Sequence, residues 1–105
     1  MKTFVAVDNQ TIAAGTTYNG PEFYPSFVDD EDGIIQIGTI TTSGGTATVK
    51  LQGRLLATAP WVDVALGAGS STTTAGYFLV PMFPEMRVTV AATTAQVSLS
   101  VWVGD

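Results

Sequence analysis

Apolar and polar residues alternate one for one in several short segments of the chain, and this period of two is typical of β-strands. In VSLSVWV, residues 97–103, the aliphatic side chains would face one way, and both serines and Trp102 would face the other. The segments 46–53 and 85–91 follow the same rule. No segment shows the helical period of about 3.6 residues. We therefore predict an all-β chain whose strands each bury one face.

Turn signals separate these segments at intervals of about 8–12 residues, which is typical of a sandwich of antiparallel strands. We predict a single domain spanning residues 1–105, a β-sandwich of jelly-roll or immunoglobulin-like type with seven to eight antiparallel strands. The paired glycines of TSGGTA predict a tight hairpin turn before the strand at 46–53. The predicted core contains Ile35, Ile37, Val49, Leu51, Val88, Val90, Leu99 and Val101.

The charge balance and two missing residue types exclude several classes of function. The net charge is −5, and this acidity argues against binding to nucleic acid or to anionic lipid. The chain has no cysteine and no histidine, so it lacks thiol nucleophiles, disulfides and the commonest general base. We expect neither enzymatic activity nor a cofactor. The apolar run from Phe4 to Val7 is too short for a signal peptide or a membrane helix, which predicts synthesis in the cytoplasm.

The acidic run DDEDG at residues 29–33 could hold Ca²⁺ through Asp29, Asp30 and Asp32, because calcium prefers oxygen ligands. The register of an EF-hand loop fails, however. It would place a valine at the first ligand position and a threonine where the closing glutamate belongs. The run therefore favours a solvated turn, with a cation site as the alternative.

The other acidic residues are isolated in the sequence, so their spacing does not indicate the paired carboxylates of a glycosidase. Arg54 and Arg87 are the only arginines, and both alternate outward in their strands. Each could reach Asp63 or Glu85 within the same sheet, in surface pairs that contribute little to stability.

The aromatic residues are the candidates for contact with a partner. Only 12% of the residues are charged, which leaves a surface rich in hydroxyl and apolar groups, as in proteins with subunit contacts. Most aromatic side chains would pack under loops or at the ends of the sandwich. Trp102 shares its predicted face with serines, so an intersubunit contact and cover within the fold are equally open. The interface candidates are Trp102, Phe23, Tyr24, Tyr77, Phe78 and Trp61.

The stretch GTATVKLQGRLLATAPWVDVALGAG, followed by FPEMRVTVAATTAQVSLSVWVGD, resembles small virion structural proteins of tailed bacteriophages. In that pattern an LQG-like strand end leads to a Trp and an acidic residue, then to an RV.V strand and a final alternating strand. The resemblance covers residues 45–105, and the S-D-G turn common in the family is absent before the Trp. The matching positions are Leu51, Gln52, Gly53, Trp61, Asp63, Pro84, Arg87, Val88, Val90, Val101, Trp102 and Gly104.

The resemblance implies a capsid decoration (cement) protein that binds the major capsid protein on the outer head shell and stabilises the shell. Such a protein would form a homotrimer or another symmetric homo-oligomer. It would have no catalytic residues, and it would be made in the host cytoplasm and reside on the capsid surface of the virion. Two alternatives stay open. One is a carbohydrate-binding β-sandwich on a tail fibre, which would stack sugars on exposed aromatic rings. The other is a head–tail or tail accessory protein of the same fold.

Overall fold

The computed structural model describes residues 2–25 and 32–105, and all regular structure in them is β-strand. The absence of helix there confirms the predicted all-β class, and no helix in these two ranges could span a membrane. The strands are β1 (Thr3–Ile12), β2 (Thr17–Asn19), β3 (Gly33–Ile37), β4 (Thr41–Thr42), β5 (Ala47–Arg54), β6 (Val62–Val64), β7 (Gly76–Val80), β8 (Glu85–Ala92) and β9 (Val97–Gly104).

The strands form two antiparallel sheets with a nested pairing order. Sheet 1 has the order β1-β9-β3-β7, and the two-residue β4 also pairs with β9. Sheet 2 has the order β2-β8-β5-β6. The pairs are therefore nested along the chain: β1 pairs with β9, β2 with β8 and β3 with β7, and the innermost pair is β5 with β6. This is the jelly-roll arrangement, which confirms the predicted β-sandwich and decides between its two types.

The core lies between the sheets and is built by the predicted alternation. Along β5 and β9, buried residues alternate with half-buried ones for almost the full length of each strand. All eight predicted core residues are buried, and none of them is more than 2% exposed. The period of two therefore located the core correctly, because successive side chains of a strand point to opposite faces.

The hairpin predicted at the paired glycines is wrong. β4 pairs with β9 in sheet 1, whereas β5 pairs with β6 and β8 in sheet 2, so Gly44 and Gly45 lie where the chain crosses between sheets. A second crossing, between β8 and β9, runs beside the first. Its Thr93 amide donates to the carbonyl oxygen of Thr46 at 3.1 Å. A methyl group on Gly45 would lie 2.7 Å from the carbonyl oxygen of Ala95, so this glycine permits the close approach.

Gly20, just after β2, lies where the first strand of sheet 1 approaches sheet 2. Its amide donates to the carbonyl oxygen of Val88 on β8 at 2.8 Å. A methyl group on Gly20 would lie 2.7 Å from the carbonyl oxygen of Ala6 on β1 and 3.0 Å from that of Val88. Backbone therefore closes the space on both sides of this glycine.

Candidate functional site

The outer face of sheet 1 carries a group of exposed apolar side chains brought together by cross-strand pairing. Val5 pairs with Trp102, and Gln36 pairs with both Trp102 and Tyr77, so one row crosses all four long strands. Residues directly opposite one another in an antiparallel pair point to the same side of the sheet. In the next row, Ile34 pairs with Leu79. We define the apolar face as Val5, Ile34, Tyr77, Leu79 and Trp102.

The apolar face is open to solvent. Val5 is 53% exposed, Leu79 is 64% exposed and Tyr77 is 72% exposed, while Ile34 and Trp102 are half-buried. Single exposed apolar residues are ordinary on protein surfaces, but a contiguous group is typical of a contact surface. The clustering on neighbouring strands therefore marks this face as the candidate site.

The indole of Trp102 is the largest group on the apolar face. It extends from β9 to Gly38, just beyond β3, where an added methyl group would lie 3.2 Å from Cζ3 of the ring. The amide of Gly38 donates to the carbonyl oxygen of Ser100 at 2.9 Å, which holds this stretch against β9. The glycine leaves room for the ring on the outer surface, and the ring stays half-buried there without entering the core.

Further along β9, the same outer face is rich in hydroxyl groups. The Ser100 hydroxyl accepts a hydrogen bond from the Asn9 amide at 2.8 Å, and the hydroxyls of Ser98 and Thr11 are 2.9 Å apart. Among the strands of sheet 1, the only charged residue is Asp8. This part of the face also contains a polar depression lined by Thr41, Thr42, Ser43, Gln96 and Ser98.

The outer face of sheet 2 is charged instead, and most of its charges form ion pairs. Arg54 lies 2.8 Å from a carboxylate oxygen of Glu22 and 3.0 Å from one of Glu85. The structure thus forms the Arg54–Glu85 pair that the sequence allowed, but the two side chains are only 15% and 19% exposed, so this is not the surface pair that was predicted. Lys50 forms a longer ion pair of 3.6 Å with Asp63. The two outer faces of the sandwich therefore differ in chemistry, since one is apolar and hydroxylic and the other is ionic.

We call the outer side of sheet 2 the ionic face, after its strand residues Lys50, Arg54, Asp63, Glu85 and Arg87. Trp61 belongs to this face. The guanidinium carbons of Arg54 and Arg87 lie 4.2 Å and 4.5 Å from its ring centroid, which is within the range of cation–π contacts. Arg87 donates from Nε to the side-chain oxygen of Gln52 at 2.8 Å, and Gln52 donates to Asp63 at 3.0 Å. Arg87 therefore reaches Asp63 only through Gln52. The Trp61 ring is already in contact with two arginines of the same chain.

The structure brings two of the six interface candidates together, Trp102 and Tyr77, on the apolar face. Three residues that were not predicted as interface candidates complete that face: Val5, Ile34 and Leu79. Leu79 follows the same alternation as Tyr77 along β7, so its outward position was visible in the sequence. Val5 lies beside Trp102, and Ile34 beside Leu79, only because of the strand order, and no local sequence pattern contains that order.

The other four candidates lie elsewhere. Phe23 is a core residue, 6% exposed, and its ring stacks on that of Phe4 at a centroid distance of 5.0 Å. Phe78 is half-buried and packs against the core from the other side of β7. Tyr24 is 60% exposed beside the bridge from Phe23 to sheet 2. Trp61 occupies the ionic face, so these four residues do not extend the apolar face.

Two of the three aspartates considered for Ca²⁺, Asp29 and Asp30, lie outside the described residues. The third, Asp32, is exposed immediately before β3. Within 2–25 and 32–105, no group of three or more acidic, histidine or cysteine side chains could hold a metal ion. A cation at the acidic run stays a prediction of the sequence.

Comparison of this chain with protein families and with curated proteins gives no match. The function is therefore inferred from the geometry and chemistry of the surface, together with the sequence pattern described above.

We expect the two kinds of ion pair on sheet 2 to differ in their contribution to stability. Replacing Arg54 with Ala should lower the free energy of unfolding by about 1–3 kcal/mol, because Glu85 loses a charged hydrogen-bond partner where it is only 19% exposed. Lys50→Ala should cost less than about 1 kcal/mol, since both partners of that pair are well exposed. Urea unfolding of the two variants measures the difference. Equal losses would contradict this ranking.

Proposed function

We propose that this chain is a structural protein of a tailed-phage virion, a capsid decoration protein whose apolar face binds the major capsid protein on the outside of the head shell. The observation that carries the proposal is the cluster of exposed apolar side chains on sheet 1, of which Tyr77 is 72% exposed. Covering water-exposed apolar groups with a partner lowers the free energy by roughly 25 cal/mol for each Å² buried.

The different chemistry of the two outer faces supports attachment from one side. The strands of sheet 2 carry five charged residues, against one in the strands of sheet 1. Ionic groups favour water and apolar groups favour burial, so the chain would lie with sheet 1 on the shell and sheet 2 toward solvent. The charged residues of the sheet 2 strands are Lys50, Arg54, Asp63, Glu85 and Arg87.

The stabilising action would follow from mass action. A protein that binds the assembled shell but not the separated subunits lowers the free energy of the shell at every occupied site. A modest contribution from each copy therefore becomes large when it is repeated over many symmetry-related sites. The jelly-roll fold is consistent with this role, because many viral capsid domains have it, although lectin domains share it and fold alone does not assign function.

The test uses head shells prepared without this protein and measures its binding to them. We expect Trp102→Ala to weaken binding by roughly 30-fold, which is typical of a tryptophan at the centre of an interface. Its free energy of unfolding should change little, since the ring lies on the outer surface and only half-buried.

Trp61→Ala is the matched control, because it removes the same side chain from the ionic face. Binding of this control should equal that of the unaltered protein. Equal weakening by both substitutions, or loss of folding in Trp102→Ala, would count against docking through the apolar face. Electron microscopy of decorated shells should show sheet 1 toward the shell. Density at the neck or tail would instead indicate a head–tail or tail accessory protein.

Carbohydrate binding is the second candidate, and the polar depression on the same outer face is the observation that favours it. However, Trp102 lies four residues along β9 from Ser98 of the depression, roughly 13 Å at the usual strand rise. A single sugar ring could not stack on the indole and bond to these hydroxyls together. A glycan array decides, because sugar binding that is lost in Tyr77→Ala would replace the decoration proposal.

A further inference from the structure

In residues 2–25 and 32–105, the ends of the two sheets are the edge strands β1, β7, β2 and β6, and the two-residue β4 is a fifth edge strand. All of them except β7 are poorly suited to pairing with another chain. β1 contains two register shifts, and Asn9 within it has a positive φ of 43°. β2 and β6 are only three residues long, and Asp63 places a charge on β6. Short length, charge and irregular register are the features that keep sheet edges from joining other strands.

The remaining edge, β7, has none of these protections. Its sequence, GYFLV, contains no charge and no proline. Its register with β3 is continuous from Gly76 to Val80, without a bulge. In the described part of the chain, its backbone pairs with β3 alone. An apolar and regular edge strand of this kind is a template for another strand.

We propose that β7 pairs antiparallel with β7 of a second copy of this chain, so that two copies of sheet 1 form one continuous sheet. The strand is complementary to itself in the register centred on Phe78. In that register, Tyr77 of each copy lies opposite Leu79 of the other, and the two Phe78 residues face each other. Aromatic–aliphatic and aromatic–aromatic pairs are among the favourable cross-strand neighbours.

A second copy fits this edge better than an unrelated strand. Tyr77 and Leu79 are exposed, so large apolar side chains opposite them would cover apolar surface, and β7 itself supplies both at the correct spacing. Two-fold symmetry, as in most protein dimers, then makes the Tyr77–Leu79 contact twice and places the Phe78 pair on the axis. The pairing would also join the apolar faces of the two copies into one surface. The pairing does not depend on the proposed function, because both partners are copies of this chain and the purified protein alone can form it.

Analytical ultracentrifugation of the purified protein tests the pairing. We expect a dimer in the micromolar range, and we expect Leu79→Lys to raise the dissociation constant by roughly tenfold or more, because it removes both Tyr–Leu pairs. Val5→Lys is the control. It adds the same charge to the same apolar face, but on β1 at the opposite edge of sheet 1. Its dissociation constant should be unchanged.

Engineered cysteines test the register, and the chain has no cysteine of its own to interfere. Opposite residues in an antiparallel pair have Cα atoms about 4.5–5.5 Å apart, which is within the range of a disulfide. Phe78→Cys should therefore form a disulfide-linked dimer under mild oxidation, and Tyr77→Cys should do so far less. Circular dichroism checks that each variant is folded. If Phe78→Cys does not fold, the comparison of the two lysine variants still decides.

Two results would overturn the pairing. The first is a wild-type protein that remains monomeric at the highest concentration measured. The second is an equal dissociation constant for Leu79→Lys and Val5→Lys, which would show that association does not depend on the edge of β7.

Discussion

We expect Leu51→Ala to lower the free energy of unfolding by about 2–5 kcal/mol, a large part of the stability of a domain this size. Leu51 lies on β5 and is fully buried between the sheets. The substitution removes buried apolar atoms and leaves a cavity, because the strands on either side are held in place by their own hydrogen bonds. Urea unfolding followed by tryptophan fluorescence measures the loss.

Leu55→Ala is the matched control for this prediction. It removes the same atoms from the connection after β5, where Leu55 is 68% exposed. The expected change is below about 0.5 kcal/mol, as for most surface substitutions. A loss of less than 1 kcal/mol for Leu51→Ala would mean that the space between the sheets is not closely packed.

Gly20→Ala should cost up to about 3 kcal/mol, and Gly20→Val should cost more. The added methyl group would lie 2.7 Å from the carbonyl oxygen of Ala6 and 3.0 Å from that of Val88. Both contacts are with backbone, so no side chain can rotate away. Relief requires β1 to move away from β8, which would disturb the contact between the two sheets. Thermal unfolding and urea unfolding of the purified variants measure the cost.

Gly69→Ala controls for the general effect of replacing glycine by alanine. Its added methyl group would meet Ser71 only at an ordinary distance of 3.6 Å. The free energy of unfolding should therefore change by less than about 0.5 kcal/mol. Equal stability of the two alanine variants would show that β1 and β8 have more freedom to separate than their backbone contacts indicate.

The sequence predicts the strands and their buried faces well because both depend on local order. Whether Val49 or Lys50 points inward is decided by the period of two along one strand. The same alternation placed Trp102 on the outer side of β9, as the structure shows. Register between strands and their order in a sheet come from contacts between distant residues, and no single segment contains that information.

The glycine pair shows where local signals fail. Gly44 and Gly45 indicate a change of chain direction. A hairpin and a crossing between sheets require the same backbone freedom, so the glycines alone do not distinguish them. The candidate site fails for a related reason. Phe23 is as aromatic as Tyr77, yet its neighbours place it in the core, and Leu79 is notable only because Ile34 lies opposite to it. Such a surface can be recognised only after the strand order is known.

The nested strand order also dictates when the molecule can be completed during its synthesis. β9 lies between β1 and β3 in sheet 1, and its Gly104 pairs with Thr3 across nearly the whole chain. The pair β5–β6 closes a short loop and can form early, whereas pairing of β1 with β9 closes the longest one and carries the greatest entropic cost. Until β9 emerges from the ribosome, sheet 1 has no central strand. A nascent chain therefore exposes the inner faces of β1 and β3 to water, and prompt pairing of β9 with both strands favours the native fold over aggregation.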